Sequence, residues 1–307
     1  MNAEKAFNEL RKQVEGAVRK NQGDGILLSG GIDSGILSYL SPQTKAFAVM
    51  LEDKGGDLQY VTMLAKRLAL DCHVKRVGIE DALSALPEVI GILQSFDPAL
   101  PNDLAVYFGM REAKKQGIRS IMTGDGGDEL FGGYPYMQEL KDLDSYISGM
   151  SRLWSFSSNR IGEHFGLEVK QPYLDDAFVD FALTVPSDLK IRKDNGKIWG
   201  KWCLRKAFEP FLPREFIWQG KRPLEVGSGM IMLRGIIAQR ISDAEFAEKQ
   251  KQYPVKFLCK EQLHFYEIYR KVVGEVPLPR PGEDQCPGCT TGIPRGKRHC
   301  RVCGWVT

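Results

Sequence analysis

The chain has 307 residues, 43% of them hydrophobic, and a formal charge of +3. That is enough apolar material for a sizeable buried core, which excludes a fibrous or disordered chain, and no apolar run reaches the roughly 18 residues of a membrane span. The charge is concentrated in the tail: residues 280–307 carry five basic side chains against two acidic ones, so the remainder is close to neutral and has no basic stripe that asks for nucleic acid.

In chain order, MNAEKAFNELRKQVEGAVRK predicts an amphipathic helix with Phe7, Leu10, Val14 and Val18 on one face. It does not read as a signal peptide, and the singly scattered Cys72, Cys203 and Cys259 suit reduced thiols, so a cytoplasmic protein is expected. Apolar runs at 26–28, 46–51, 73–79 and 118–124 predict strands, with helices around 57–70, 80–94 and 102–117 between them. This alternation predicts an α/β fold with a doubly wound, mostly parallel sheet over residues 1–139. Residues 140–270 turn aromatic-rich and read as a helical region packed on the sheet, 271–284 as a proline-rich linker, and 285–307 as a small separate module.

Two of the strand runs end in glycine-rich turns, and ligands of such sheets sit at the carboxyl ends of strands. In Ser29-Gly30-Gly31-Ile32-Asp33-Ser34, backbone N–H groups, two hydroxyls and a helix start surround one hollow that suits a phosphate. The turn is not a Walker A loop, since GxxxxGK[ST] is absent. Asp33 beside polyphosphate calls for Mg²⁺ between them; the plainer alternative is that Asp33 only caps the helix. In Gly124-Asp125-Gly126-Gly127-Asp128-Glu129, three carboxylates fall within five residues. Such crowding calls for a metal or a cationic ligand.

SGGIDS followed by GDGGDELFGGY resembles the synthetase domain of asparagine synthetases, within the PP-loop ATP pyrophosphatase group. The likeness continues through FGLEVKQPYLDD, DNGK at 194–197 and WQGKRPLEVGSG, and spans about residues 5–235. It implies an adenine nucleotide alpha hydrolase-like fold and an ATP-dependent, amide-forming ligase that activates a carboxylate as acyl-adenylate with release of pyrophosphate. It further implies ATP contacts from Leu27, Ser29, Gly30, Gly31, Asp33, Ser34, Val49, Thr123 and Gly124, with Asp33 and Asp128 on Mg²⁺. Asp125, Lys221 and Glu168 take the catalytic positions, Lys221 stabilising charge on the α-phosphate. Aspartate or an analogue is the implied acid.

The sequence departs from the family pattern at several places. Asp125 stands where the family usually has Glu, Lys170 replaces the arginine of the E-x-R segment, and Trp154 and Ser157 occupy positions where an acidic and a basic residue are usual. The chain opens directly into the synthetase-like region, so ammonia is expected from solution or from a separate glutaminase subunit.

The tail carries Cys286-x-x-Cys289, ten intervening residues, and Cys300-x-x-Cys303. Two such knuckles predict a structural Zn²⁺ ribbon, with rubredoxin-type iron as the lesser alternative. His299 reads as a surface residue. The neighbouring basic run RGKRH leaves a tRNA or protein contact through the ribbon open, and with it the reading of a macromolecule-modifying PP-loop enzyme. A separate alternative is a degenerate synthetase fold retained as a non-catalytic nucleotide-binding module.

Overall fold

A computed structural model describes residues 3–151 and 153–306. Two compact units can be distinguished. The first comprises Met1–Ala48, Asp57–Lys75 and Gly109–Pro223, and the second Val49–Gly56, Arg76–Phe108 and Leu224–Thr307.

Strands β1 (Gly25–Leu27), β2 (Lys45–Leu51), β3 (Cys72–Val77), β4 (Ser120–Met122) and β5 (Glu168–Lys170) form one sheet in the order β3-β2-β1-β4-β5. β1 runs parallel to both β2 and β4, and β4 parallel to β5. Ile26, Ile121 and Met122 are fully buried, as strands covered on both faces must be. The first four strands match the apolar runs of the sequence. β5 does not stand out there, because three residues with Glu168 and Lys170 at their ends carry no apolar signal. The chain leaves β1 toward β2 on one side and enters β4 on the other. The crevice between the ends of β1 and β4 is therefore the topological switch point, where open α/β sheets bind ligands.

In the first unit, the helix Ala3–Lys20 buries Leu10, Val14 and Val18 and packs against the helix Trp202–Phe208, with Phe7 edge-on to Trp202 at 5.5 Å. β6 (Arg192–Asp194) and β7 (Lys197–Trp199) form a hairpin whose turn residues, Asn195 and Gly196, have φ of 49° and 79°. Left-handed Asn-Gly is the pair that a tight two-residue hairpin requires. The region read as helical thus also contains β5, β6 and β7.

In the second unit, the helices Ile79–Leu93 and Lys260–Val272 pack on each other, and Phe96 stands edge-on to Tyr266 and Tyr269 at 5.0 and 5.2 Å. The cysteine-rich tail belongs to this unit, with β8 (Glu283–Gln285) antiparallel to β9 (Gly292–Pro294). No helix among the described residues is long and apolar enough to cross a membrane.

Candidate active site and metal centre

The first glycine-rich turn leaves β1 and enters the helix Ile32–Leu40 with Gly31 as its N-cap. Gly30 has φ +78°, and a Cβ there would stand 2.7 Å from that of Asp57, so only glycine fits. The two serines close the turn on itself. Ser29 Oγ lies 3.1 Å from Ser34 Oγ and accepts from the Gly31 N–H, while the Ser34 hydroxyl donates to the Gly31 carbonyl.

The second turn leaves β4 and enters the short helix Gly127–Phe131. Gly127 lies so close to Asp33 that any side chain there would collide with its carboxylate. The glycines of one turn thus make room for the aspartate of the other.

Where the turns meet, Lys201 Nζ sits between two carboxylates, 2.5 Å from Asp33 Oδ2 and 2.6 Å from Asp128 Oδ1. Lys221 Nζ approaches Asp128 Oδ2 at 2.7 Å. The Lys201 side chain is 3% exposed and those of Asp33 and Asp128 13% and 14%. Burial raises both carboxyl pKa values, but for Asp128 the two ammonium groups outweigh it and hold that carboxyl low. For Asp33 burial, with the like charge of Asp128 nearby, outweighs the attraction of Lys201 and holds the carboxyl above the ordinary range. The same two carboxylates hold the Lys201 ammonium charged against its own burial.

A divalent cation fits these residues. Asp33 Oδ1 is buried with no hydrogen-bond partner, and Asp128 Oδ1, although within ion-pair distance of Lys201, lacks hydrogen-bond alignment to it. Two buried carboxylate oxygens with unused acceptor capacity are the hard donors that Mg²⁺ takes, and the Lys201 ammonium is the positive charge now standing beside them.

Around this centre the segments are latched together. Gln219 Nε2 donates to the Gly30 carbonyl at 3.0 Å, and Arg222 donates to Asp57 Oδ1 at 2.7 Å and to Gln219 Oε1 at 2.6 Å. The segment bearing Lys221 is thereby fixed to the first turn. Arg205, buried, donates to the carbonyls of Gly200, Ile217 and Gln219, which joins the segment bearing Lys201 to the one bearing Lys221. Asp125 stands aside from the lysines: its Oδ2 accepts from Thr123 Oγ1 and Ser158 Oγ at 2.6 Å and from Gln171 Nε2 at 2.9 Å. Glu129 accepts from the Gly126 N–H and the Tyr134 hydroxyl. Burial, with the adjacent charge of Asp128, pushes its carboxyl up to about 7.

In the second unit, Cys286, Cys289, Cys300 and Cys303 are all buried, with every pair of Sγ atoms within 4.8 Å. The pairs Cys286–Cys303 and Cys289–Cys300 are 3.6 and 3.7 Å apart. A tetrahedron with metal–sulfur bonds of about 2.3 Å has edges of about 3.8 Å, so the thiols are spaced for a single ion. Within its unit the ribbon is docked by four hydrogen bonds: Phe96 N and Ser95 Oγ donate to the Val302 carbonyl, Gln262 Nε2 to that of Cys303, and Lys256 N to that of Gly288. His299 Nε2 pairs with Asp97 Oδ2 at 3.1 Å and is not among the four clustered ligands.

A family profile described as asparagine synthase matches residues 7–155 and 148–264. The chain belongs to that family. It is 28% identical to a probable glutamine-hydrolyzing asparagine synthetase of Dictyostelium discoideum over 75% of this chain and 48% of that protein. Asparagine synthetase B of Escherichia coli K12, also glutamine-hydrolyzing, is 28% identical over 94% of this chain and 56% of that protein. The chain spans about half the length of the curated relatives it matches. Among solved structures, a U34-tRNA thiolase from Methanococcus maripaludis with its [4Fe-4S] cluster shares 12% identity at a TM-score of 0.34, a likeness too slight to carry an argument.

Of the residues expected from the sequence, Ser29, Gly30, Gly31, Asp33, Ser34, Thr123, Gly124, Asp128 and Lys221 come together at the two turns or, for Lys221, on Asp128. Leu27 ends β1 and Val49 lies in β2, which crosses from the first unit into the second. Glu168 stands apart from this group. It opens β5 opposite Ser120, at the amino end of β4, and is 66% exposed and ion-paired to Lys170 at 2.5 Å. The residue of that segment that reaches the second turn is Gln171, and next to Ser157 it is Ser158 that does so. Neither these nor Lys201, Asp57 and Arg222 were singled out by the sequence. Lys201 lies in WGKWCL, where the only signal is a lysine embedded in an otherwise apolar run.

Proposed function

We propose that the chain is an ATP-dependent carbon–nitrogen ligase of the asparagine synthetase type, forming AMP and pyrophosphate. One observation carries the reading: Asp33 and Asp128, each with a buried oxygen lacking hydrogen-bond alignment, face Lys201 and Lys221 at the switch point of a parallel sheet. Asp33 and Asp128 would hold Mg²⁺, which neutralises charge on the phosphates of bound ATP. The N–H groups and hydroxyls of Ser29–Ser34 receive the β- and γ-phosphates, and Lys201 and Lys221 face the charge that grows as pyrophosphate departs.

In the first step a carboxylate oxygen of the acid forms a bond to the α-phosphorus while the bond from that phosphorus to the bridging oxygen breaks, releasing pyrophosphate. In the second, ammonia or an amine attacks the acyl carbon, AMP leaves, and the nitrogen loses a proton. Asp125, held at one oxygen by three donors, is the carboxylate of the second turn that would face the acid and the incoming nitrogen. Glu168, exposed, paired with Lys170 and at the amino end of β5, is given no role in this scheme. Aspartate is the first acid to test, and Zn²⁺ is the ion proposed for the ribbon, where it holds residues 283–306 in shape. Cytoplasmic location belongs to the same reading.

Incubation with aspartate labelled with ¹⁸O in its side-chain carboxylate tests the activation step. Transfer of one ¹⁸O into AMP is expected. Formation of ADP, or AMP that stays unlabelled while product accumulates, overturns the reading.

A further inference from the structure

The first unit contains a second concavity that the proposed chemistry does not use. A cavity of about 260 Å³ is lined by Asp194, Lys197, Trp199, Lys206, Arg214 and Trp218, among others. The two indoles meet edge to face at 5.2 Å. The cations gather around them: Lys197 Nζ lies 4.0 Å from the ring centroid of Trp199, and Lys206 Nζ 5.0 Å from that of Trp218. Arg205, buried and tied to three carbonyls, backs Trp199 at 5.0 Å, whereas Lys197 and Arg214 are exposed. The carboxylates of this region are already engaged. Asp194 accepts from the Trp202 indole, and Glu209 accepts from the Trp218 indole and pairs with Lys206 at 3.2 Å and Arg214 at 3.6 Å.

A pair of indoles and three cations lining one cavity, a little below the roughly 300–1,000 Å³ of drug-sized sites, takes a ligand of about one ring system carrying negative charge. We propose that this cavity binds a nucleoside monophosphate: its base lies against Trp199 and Trp218, displacing the exposed Lys197 from the ring, and its phosphate sits among Lys197, Lys206 and Arg214. This is a nucleotide site additional to the glycine-rich turns, and it does not depend on those turns being catalytic. Its walls are nonetheless in series with the lysines of the centre, since Trp199 precedes Lys201 by two residues and Trp218 precedes Lys221 by three.

The test is titration of the full chain with AMP in the absence of Mg²⁺, read by intrinsic fluorescence, since two of the five tryptophans line the cavity. A saturable quench is expected. It should weaken about tenfold or more in the exposed variants Lys197→Ala and Arg214→Ala, each of which removes a charged partner of the phosphate. Trp218→Phe should reduce its amplitude, and Asp33→Asn and Lys221→Ala should leave it unchanged. Inorganic phosphate should neither quench nor compete at equal concentration, because the rings supply roughly 5- to 150-fold of the affinity. Absence of any saturable quench, full competition by phosphate, or a quench that survives Lys197→Ala and Arg214→Ala but vanishes in Asp33→Asn would each overturn the proposal. The last result would place AMP at the glycine-rich turns.

Discussion

The carboxylate–lysine centre of the first unit and the cysteine ribbon of the second solve the same physical problem, keeping a knot of charged or ionisable side chains buried, in opposite ways. The ribbon draws its four candidate ligands from 18 consecutive residues, and a metal bound there would supply most of its folding free energy in place of apolar packing. The centre draws Asp33, Asp128, Lys201 and Lys221 from four separate stretches of chain. It sets two lysines against two carboxylates, and within it Asp128 and Lys201 hold each other charged against their burial. Carboxylates and lysines that balance one another can open toward a ligand, whereas four thiols closed on one ion would only hold shape.

Removing the metal should therefore show the largest effect, confined to one side of the comparison. Apparent binding free energies of structural Zn²⁺ are about 10–16 kcal/mol, so a chelator or Cys300→Ser should collapse residues 283–306. Hydrogen exchange should then show protection lost at 95–97 and 256–262, which the ribbon's hydrogen bonds fix, and kept at 25–34 and 120–131. Equal loss in both sets would break the contrast.

Lys201→Ala comes next, since it leaves Asp33 and Asp128 facing each other without the ammonium between them. Breaking a buried pair in this way costs about 3–5 kcal/mol, readable as a lowered denaturant midpoint. Mg²⁺ should restore part of that loss in the variant and add less to the wild type, and a variant as stable as the wild type would show that the charges are not interdependent.

Asp125→Ala leaves Thr123, Ser158 and Gln171 with unused donors, at a cost of about 1–3 kcal/mol. Pyrophosphate release should fall in that variant, with ATP binding retained, as measured by equilibrium dialysis beside a turnover assay.

The smallest effect concerns Glu129. Its folded-state pKa is raised to about 7, so the folded protein binds its proton more tightly than the unfolded chain does. The stability this contributes is complete below the unfolded value near 4.5 and is lost as pH rises through 7, by about 1–3 kcal/mol. Glu129→Gln should flatten the stability–pH curve over that window in urea titrations. An unchanged slope would mean that Glu129 is not held protonated.

How legible each part was in the sequence follows the same contrast. The ribbon could be read at once because its ligands are local and thiolate spacing has few other uses. The parallel sheet was readable from the alternation of buried runs with helical ones, except β5, whose three residues are polar at both ends and acquire strand structure from pairing with β4. Asp33, Asp128 and the glycines were visible because crowded carboxylates and close-packed turns leave a local mark. Lys201 was not, for its importance arises only when the fold brings it to Asp33 across a sequence separation of 168. Glu168 shows the converse: a motif position carried over by resemblance lies at the amino end of its strand, bound to Lys170, while Gln171 reaches the second turn.

The most direct test of the central claim is ATP–pyrophosphate exchange with Mg²⁺ and aspartate and no amine, on the wild type and on Lys221→Ala. The account predicts exchange in the wild type that requires both Mg²⁺ and a carboxylic acid, and its loss in the variant with ATP still bound. Exchange that persists in Lys221→Ala, or wild-type protein that binds ATP and catalyses no exchange with any acid supplied, would contradict it.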